Sequence, residues 1–499
     1  MKPIRIFIFY AGVMLILLGI AILIPEEGLR VKGDLRLSFL HIPDLFKSRT
    51  PLSEVNVEEL LSRSMVTADP ESDPVLRHPL QADDIRLSSK PLSSKPVSSE
   101  PLFVSASANV DSLQKSVYRI QFARGSRRLL DPFFQTLDDV GSGRIRNSRI
   151  LHFGDSQIEN DRMTALIRFR LQKMVGGSGT GLVQAIPLYS GSMAYKQDQE
   201  GDWLRYTYFG KRDTTITHES YGIMGAYTSV PMAVEGAMPM LNYRFNTSRR
   251  SGRCERVRMF LHSYTEGGHL VFEVNDTIMD TITSIAGGFN EVDLIHPGPV
   301  KDLKIYLDLP QGGRIYGISF ESNQGMHMDN IAMRGSSGLV FSNMNREQQQ
   351  EMMDRLSPGM ILLQFGGNVV PYMKPNYYRE FFKRELEFFK DLCPGIPIVV
   401  IGPADMSIRE KGMFKTYPEL EPIRDALRQA TLESGFAFWD LYEAMGGSNS
   451  MPSFVHADPP LASKDYLHFT PKGANLVAEM FYNALMLEYS HFSAQYSTN

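Results

Sequence analysis

Of all the residues in this chain, Ser156 is the one best placed to do chemistry. It stands in Gly154-Asp155-Ser156-Gln157, after the apolar run Ile150, Leu151 and Phe153 and before Met163, Leu166, Ile167, Leu171 and Met174, which recur at near-helical spacing. The pattern reads as a buried parallel strand, a sharp turn and an amphipathic helix. A serine at that junction lies at the carboxyl end of the strand and the amino end of the helix, where backbone N–H groups can receive a developing oxyanion. The chemistry implied is attack on a carbonyl. A hydroxyl at its free pKa is a poor nucleophile, so a base must come within hydrogen-bond reach.

The Gly-Asp-Ser-Gln motif resembles block I of the SGNH (GDSL-type) hydrolases and differs from the G-x-S-x-G elbow of the α/β-hydrolases. Further matches follow in that family's order. Asn330 to Gly335, NIAMRG, resembles block II, whose glycine supplies an oxyanion-hole N–H; this points to Gly335, with Gly338 as the alternative. Gly366-Gly367-Asn368 matches the Gly-x-Asn of block III, and Asp465-Tyr466-Leu467-His468 matches the Asp-x-x-His of block V. The resemblance implies Ser156 as nucleophile, His468 as base and Asp465 as the carboxylate that fixes the imidazole tautomer, as the chemistry requires. The oxyanion would meet the N–H groups of Ser156 and Gly335 and the side-chain amide of Asn368. His456 and Asp458 are rival base and acid in the same loop, with the wrong mutual spacing, and Asp155 is expected to brace the turn. Gln157 departs from familiar members. No metal or cofactor is implied.

Elements able to position these residues are legible on both sides of a β-rich stretch. Met360 to Phe365, Ile396 to Ile401 and Phe436 to Trp439 read as buried strands. Tyr377 to Leu392, Leu420 to Glu433 and Pro471 to Tyr489 read as helices, the last with Thr470 as N-cap. Residues 113–140 also read as helical. Strands alternating with helices mean a parallel sheet covered on both faces, and the resemblance makes it a flavodoxin-like, three-layer α/β/α hydrolase domain. Between about 195 and 325, Met240 to Phe245, Val257 to His262, Leu270 to Val274, Leu303 to Leu307 and Ile315 to Phe320 alternate like strands of a β-sandwich inserted in that domain. Trp203, Tyr206, Tyr208 and Tyr264 are aromatics there that can either stack on sugar rings or pack in a core. The glycines at 176, 177, 179 and 181 follow a helix and lack Gly-Lys-Ser/Thr, so a tight reversal is expected, not a phosphate loop.

The remaining features bear on location. Of the 499 residues, Lys2 and Arg5 precede the unbroken apolar run Ile6 to Ile24. It is long enough to cross a bilayer, with its positive end in the cytoplasm, so residues 1–27 are expected to be a signal anchor, a cleaved signal peptide being the alternative. Residues 28–65 form a peripheral segment. Residues 66–112 are Ser/Pro-rich, with SSKPL, SSKPV and SSEPL in succession, the composition of an extended tether. The hydrolase domain then takes 113–195 and 326–499, with the sandwich at 196–325. A net charge of -4 without a basic stripe argues against nucleic acid. Cys254 and Cys393 are expected as two separate thiols.

An SGNH domain interrupted by a β-sandwich resembles the periplasmic peptidoglycan O-acetylesterases, whose insert resembles a carbohydrate-binding module. The resemblance implies a serine esterase that removes O-acetyl or another small acyl group from a cell-envelope glycan such as peptidoglycan. It would be anchored in a bacterial inner membrane with its body in the periplasm. An acyltransferase using the same triad, or a glycan-binding scaffold without catalysis, are the alternatives.

Overall fold

The computed structural model describes residues 118–496 apart from 189–191 and 234–235, and before them Leu29–Lys32, Leu35–Leu37, 55–57 and 59–60. The expected anchor at 1–27 and tether at 66–112 lie outside the described residues. Among the described residues no helix is long and apolar enough to cross a membrane. The chain divides into two compact units. The first, Met1–Glu54, contains an antiparallel pair, Leu29–Lys32 with Leu35–Leu37. The second is Val55–Asn499.

Its central sheet has six strands: β1 (Gln121–Phe122), β2 (Asn147–Gly154), β3 (Gly325–Ala332), β4 (Met360–Gln364), β5 (Ile398–Ile401) and β6 (Ala437–Trp439). Their order is β3-β2-β4-β5-β6-β1, parallel except for β1 at the edge. β4 and β5 are almost wholly apolar runs, MILLQ and IVVI, because both faces are covered. Leu151 and Phe153 of β2 face one core with helices α3 (Arg346–Leu356), α4 (Pro375–Leu392) and α5 (Leu420–Glu433). Ile150 faces the other, with α1 (Asp131–Gly141), α2 (Thr164–Val175) and α6 (Pro471–Tyr496). Three layers result, as expected for the flavodoxin-like class. Thr470 caps α6, its Oγ1 accepting the Gly473 N–H at 3.2 Å.

Residues 113–140 are only partly the expected helix. Gln121 and Phe122 pair with β6, turns follow around Gly125 (φ 83°), and helix begins only at Asp131. The apolar stripe through Leu129 and Leu130 continues into Phe133 and Phe134 of α1, which makes the turns look helical in sequence.

The β-rich stretch forms two antiparallel sheets. One joins Gly288–Ile295, Arg256–Ser263, Gly313–Glu321, Ala226–Val230 and Leu204–Thr207; the other joins Thr277–Ile285, Gly268–Val274, Asp302–Asp308, Met240–Phe245 and Tyr195–Glu200. A core including Leu241, Met259, Leu270, Ile305 and Phe320 draws on both sheets. The β-rich stretch reaches back to Gly181–Val183, which pairs with Gly313–Glu321. Of the exposed-aromatic candidates, Trp203 is buried, its indole N–H on the Glu200 carbonyl at 2.9 Å, whereas Tyr264 is exposed. Cys254 and Cys393 are free and buried.

A buried charge cluster fastens these sheets to the central one. Arg149 on β2 donates to Asp329 of β3 at 2.6 and 2.7 Å and to Glu321 at the end of the β-rich stretch. Asp329 also accepts the Leu182 N–H at 2.8 Å. At Gly181 (φ 78°) any Cβ would run into the Asp329 carboxylate, so the approach requires glycine. Burial would raise the Glu321 pKa, but Arg149 and the neighbouring cations hold it at about 2. Arg149→Met strands two buried carboxylates, and urea unfolding is expected to show a loss of about 3–5 kcal/mol. A change within about 1 kcal/mol would show that the cluster holds little.

Candidate active site

Ser156 stands just past the end of β2, and the strand order places it at a topological switch point. β2 is flanked by β3 on one side and β4 on the other, so the connections leave in opposite directions and open a crevice at the carboxyl ends. The turn does not run straight into a helix. A short 3-10 turn, Glu159–Asp161, intervenes, and α2 starts only at Thr164, because Asn160, Asp161 and Met163 have positive φ (58°, 64° and 57°). The candidate oxyanion donors therefore belong to the turn itself and to neighbouring loops, not to a helix N-terminus.

The expected triad is assembled. Ser156 Oγ lies 2.8 Å from His468 Nε2, and His468 Nδ1 lies 2.8 Å from Asp465 Oδ2. Asp465 Oδ1 accepts the N–H groups of Leu467 and His468, each at 3.0 Å. Burial pushes the Asp465 carboxyl up, but the bonds from His468 and these N–H groups prevail and hold it below its ordinary value. An ionised Asp465 fixes Nδ1–H on the carboxylate side and leaves Nε2 to accept the serine proton.

The loop carrying the histidine is held at several points. Ala462 bridges to Phe469, Tyr466 has a positive φ of 57°, and the Tyr466 carbonyl accepts the Ser407 N–H at 3.1 Å. Ser407–Glu410 and Met413–Thr416 form a hairpin that sequence reading did not detect. From it Phe414 stacks on Tyr466 with ring centroids 3.6 Å apart. His456, the rival base, is spent on this support: its Nε2 lies 3.1 Å from the Tyr466 hydroxyl.

The neighbours of Ser156 brace opposite walls of the crevice. Gln157 Nε2 donates to the Leu467 carbonyl at 2.7 Å, tying the serine turn to the histidine loop. Only its adjacency to Ser156 hinted at this, since the distant acceptor is a backbone carbonyl. Asp155, as expected, braces its own turn, with Oδ1 accepting the Gln157 N–H at 2.9 Å, and its Oδ2 accepts Asn368 Nδ2 at 3.0 Å. Arg162 donates to the Ser156 carbonyl at 2.9 Å.

A cavity of about 150 Å³ opens beside Ser156, lined by Asn368, Leu467 and the apolar Phe365, Pro403 and Met406. Gly335 does not line it, although its neighbour Ser336 accepts Asn368 Nδ2 at 3.1 Å. Both Gly335 and Gly338 have positive φ (75° and 78°), and a Cβ on Gly338 would strike Phe365. Among the described residues, the backbone N–H groups of Ser156 and Gly335 donate to no acceptor. Asn368 is already bonded twice, to Asp155 and Ser336, where the sequence suggested a free donor. No three His, Cys, Asp or Glu among the described residues are grouped to hold a metal ion.

No family model matches the chain, and no curated protein matches it by sequence. Solved structures do. A peptidoglycan O-acetylesterase structure aligns over 72% of this chain and 96% of its own with a TM-score of 0.60 at 20% identity, which establishes a shared fold. A family two carbohydrate esterase from Clostridium thermocellum, in complex with cellohexaose, aligns over 56% and 97% at 11% identity, but its TM-score of 0.22 is too low to bear on the fold. Fold and constellation agree with what the resemblance to the SGNH (GDSL) hydrolases implies: a serine, a histidine and a carboxylate in line at the strand ends of a parallel sheet.

Burial pushes the Asp155 carboxyl up to about 6, against the pull of the Gln157 N–H, His468 and Asn368. The folded chain thus keeps this proton up to about pH 6, whereas the unfolded chain releases it near the ordinary 3.8. The folded state therefore loses stability as pH rises from about 4 to above 6, by about 3 kcal/mol for two pKa units. Asp155→Asn is expected to remove this decline. The stability of the variant relative to wild type should be about 3 kcal/mol greater at pH 7 than at pH 4. An unchanged difference at the two pH values would refute the assignment.

Proposed function

We propose that this chain is a membrane-anchored, extracytoplasmic esterase that removes O-acetyl or similarly small acyl groups from a cell-envelope glycan such as peptidoglycan. The single observation that carries the proposal is the 2.8 Å hydrogen bond from Ser156 Oγ to His468 Nε2, with Asp465 behind the imidazole. In the proposed first step Ser156 Oγ bonds to the ester carbonyl carbon, the carbonyl electron pair moves onto oxygen, and the Oγ proton passes to Nε2. The N–H groups of Ser156 and Gly335 and the amide of Asn368 take the oxyanion. His468 then protonates the departing sugar oxygen, and water, deprotonated by the same nitrogen, releases the acyl group.

A small acyl group is supported by the modest cavity and its apolar wall, well below the volume of drug-sized sites. A glycan carrier is supported by the fold shared with a peptidoglycan O-acetylesterase. Export and anchoring rest on Lys2, Arg5 and the apolar run Ile6 to Ile24.

Ser156→Ala is expected to lower turnover of p-nitrophenyl acetate, and acetate release from O-acetylated peptidoglycan, by at least about 10⁴-fold. Retention of turnover within about tenfold would overturn the proposal. With an added glycan acceptor, acetyl transfer in place of acetate release would mark an acyltransferase.

A further inference from the structure

Asn368 is the one oxyanion donor whose hydrogens are already in use. Its Nδ2 donates to Asp155 Oδ2 at 3.0 Å and to the Ser336 carbonyl at 3.1 Å, and a primary amide has two hydrogens to give. In this state it offers nothing to a tetrahedral oxyanion, whereas the Ser156 and Gly335 N–H groups are open. One bond must be exchanged, and the two acceptors are unequal. Asp155 is a buried carboxylate, 4% exposed, locked by the Gln157 N–H on its other oxygen. Ser336 offers a neutral carbonyl. Hydrogen bonds to an ionised acceptor are roughly twice as strong as neutral ones, so the Ser336 bond is the one that yields.

We propose that Asn368 is a switched oxyanion donor. Asp155 holds one amide hydrogen throughout the reaction, and the other leaves the Ser336 carbonyl for the substrate oxygen as Ser156 attacks. The exchange moves a hydrogen bond and transfers no proton: the only proton in flight goes from Ser156 Oγ to His468 Nε2, as the Oγ–carbon bond forms and the carbonyl pair moves to oxygen. Leaving a neutral carbonyl is favourable only once charge has developed on the substrate oxygen. The new bond therefore belongs to the transition state and not to the bound substrate. Asp155 is a positioning residue, acting through Asn368 and touching no reacting atom.

This inference rests on the esterase reading and carries its own signature in kinetics of the full chain on p-nitrophenyl acetate. Asp155→Ala and Asn368→Ala are each expected to lower kcat by about 10²- to 10³-fold, the range for loss of one oxyanion donor, with KM within about threefold. The double variant should fall within about tenfold of Asn368→Ala, far short of the product of the two losses, because without the amide Asp155 keeps only its bond from the Gln157 N–H. Asp155→Asn, with a single side-chain carbonyl to share between Gln157 and Asn368, should lose about tenfold alone and nothing further in the Asn368→Ala background. It also serves where the alanine variant fails to fold. Losses that multiply, or that appear in KM, would overturn the inference. Should Ser156→Ala abolish turnover while the Asp155 and Asn368 losses multiply, only this inference fails; an active Ser156→Ala removes the esterase reading itself.

Discussion

A single hydrogen bond, 2.8 Å from the hydroxyl of Ser156 to the imidazole of His468, joins residues 312 positions apart, and the catalytic account depends on it. A serine hydroxyl at its free pKa is a poor nucleophile toward esters, and the imidazole activates it only from within hydrogen-bond reach. A base displaced by about 1 Å can cost about a hundredfold in rate, so the fold must hold both ends of this bond closely. It does so with backbone groups. Gln157 reaches the Leu467 carbonyl from the serine side, and Asp465 collects two N–H groups on the histidine side.

The switch point explains why such distant residues meet. With β2 between β3 and β4, the segments leaving three adjacent strand ends deliver Ser156, the loop through Gly335 and Ser336, and Asn368 to one crevice. The β-rich stretch departs after α2 and returns directly into β3, so it can be large without disturbing those ends. It is nonetheless no loose appendage. Phe260 and Tyr316 from its six-stranded sheet share a core with Met352 of α3, and the charge cluster around Arg149 holds the return strand in place. Burying those charges is costly unless each is answered, which makes the cluster a constraint on register more than a source of net stability.

Much of this was legible in the residues. Buried parallel strands carry uninterrupted apolar runs, and Met360–Gln364 and Ile398–Ile401 lie where those runs are. Met240–Phe245 and Asp302–Asp308 likewise follow their alternating patterns. That Ser156, Asp465 and His468 come together was legible because they stand in short motifs whose side chains suit one another's chemistry. Lost from view were features set by backbone geometry and distant partners. Positive φ at Asn160, Asp161 and Met163 delays α2, although Asn and Asp in such positions leave only a faint trace in sequence. The edge strand Gln121–Phe122 is too short to show a period. That Gln157 finds the Leu467 carbonyl, and that Asn368 spends both hydrogens, depends on loops brought together only by the finished sheet.

Covalent trapping tests the central claim most directly. The full chain is incubated with a serine-directed fluorophosphonate, digested and read by mass spectrometry. One adduct per chain is expected, on the peptide containing Ser156, with its formation slowed at least about a hundredfold in His468→Ala. Labelling of another residue, or labelling of Ser156 at an unchanged rate without the imidazole, would contradict a serine activated by His468.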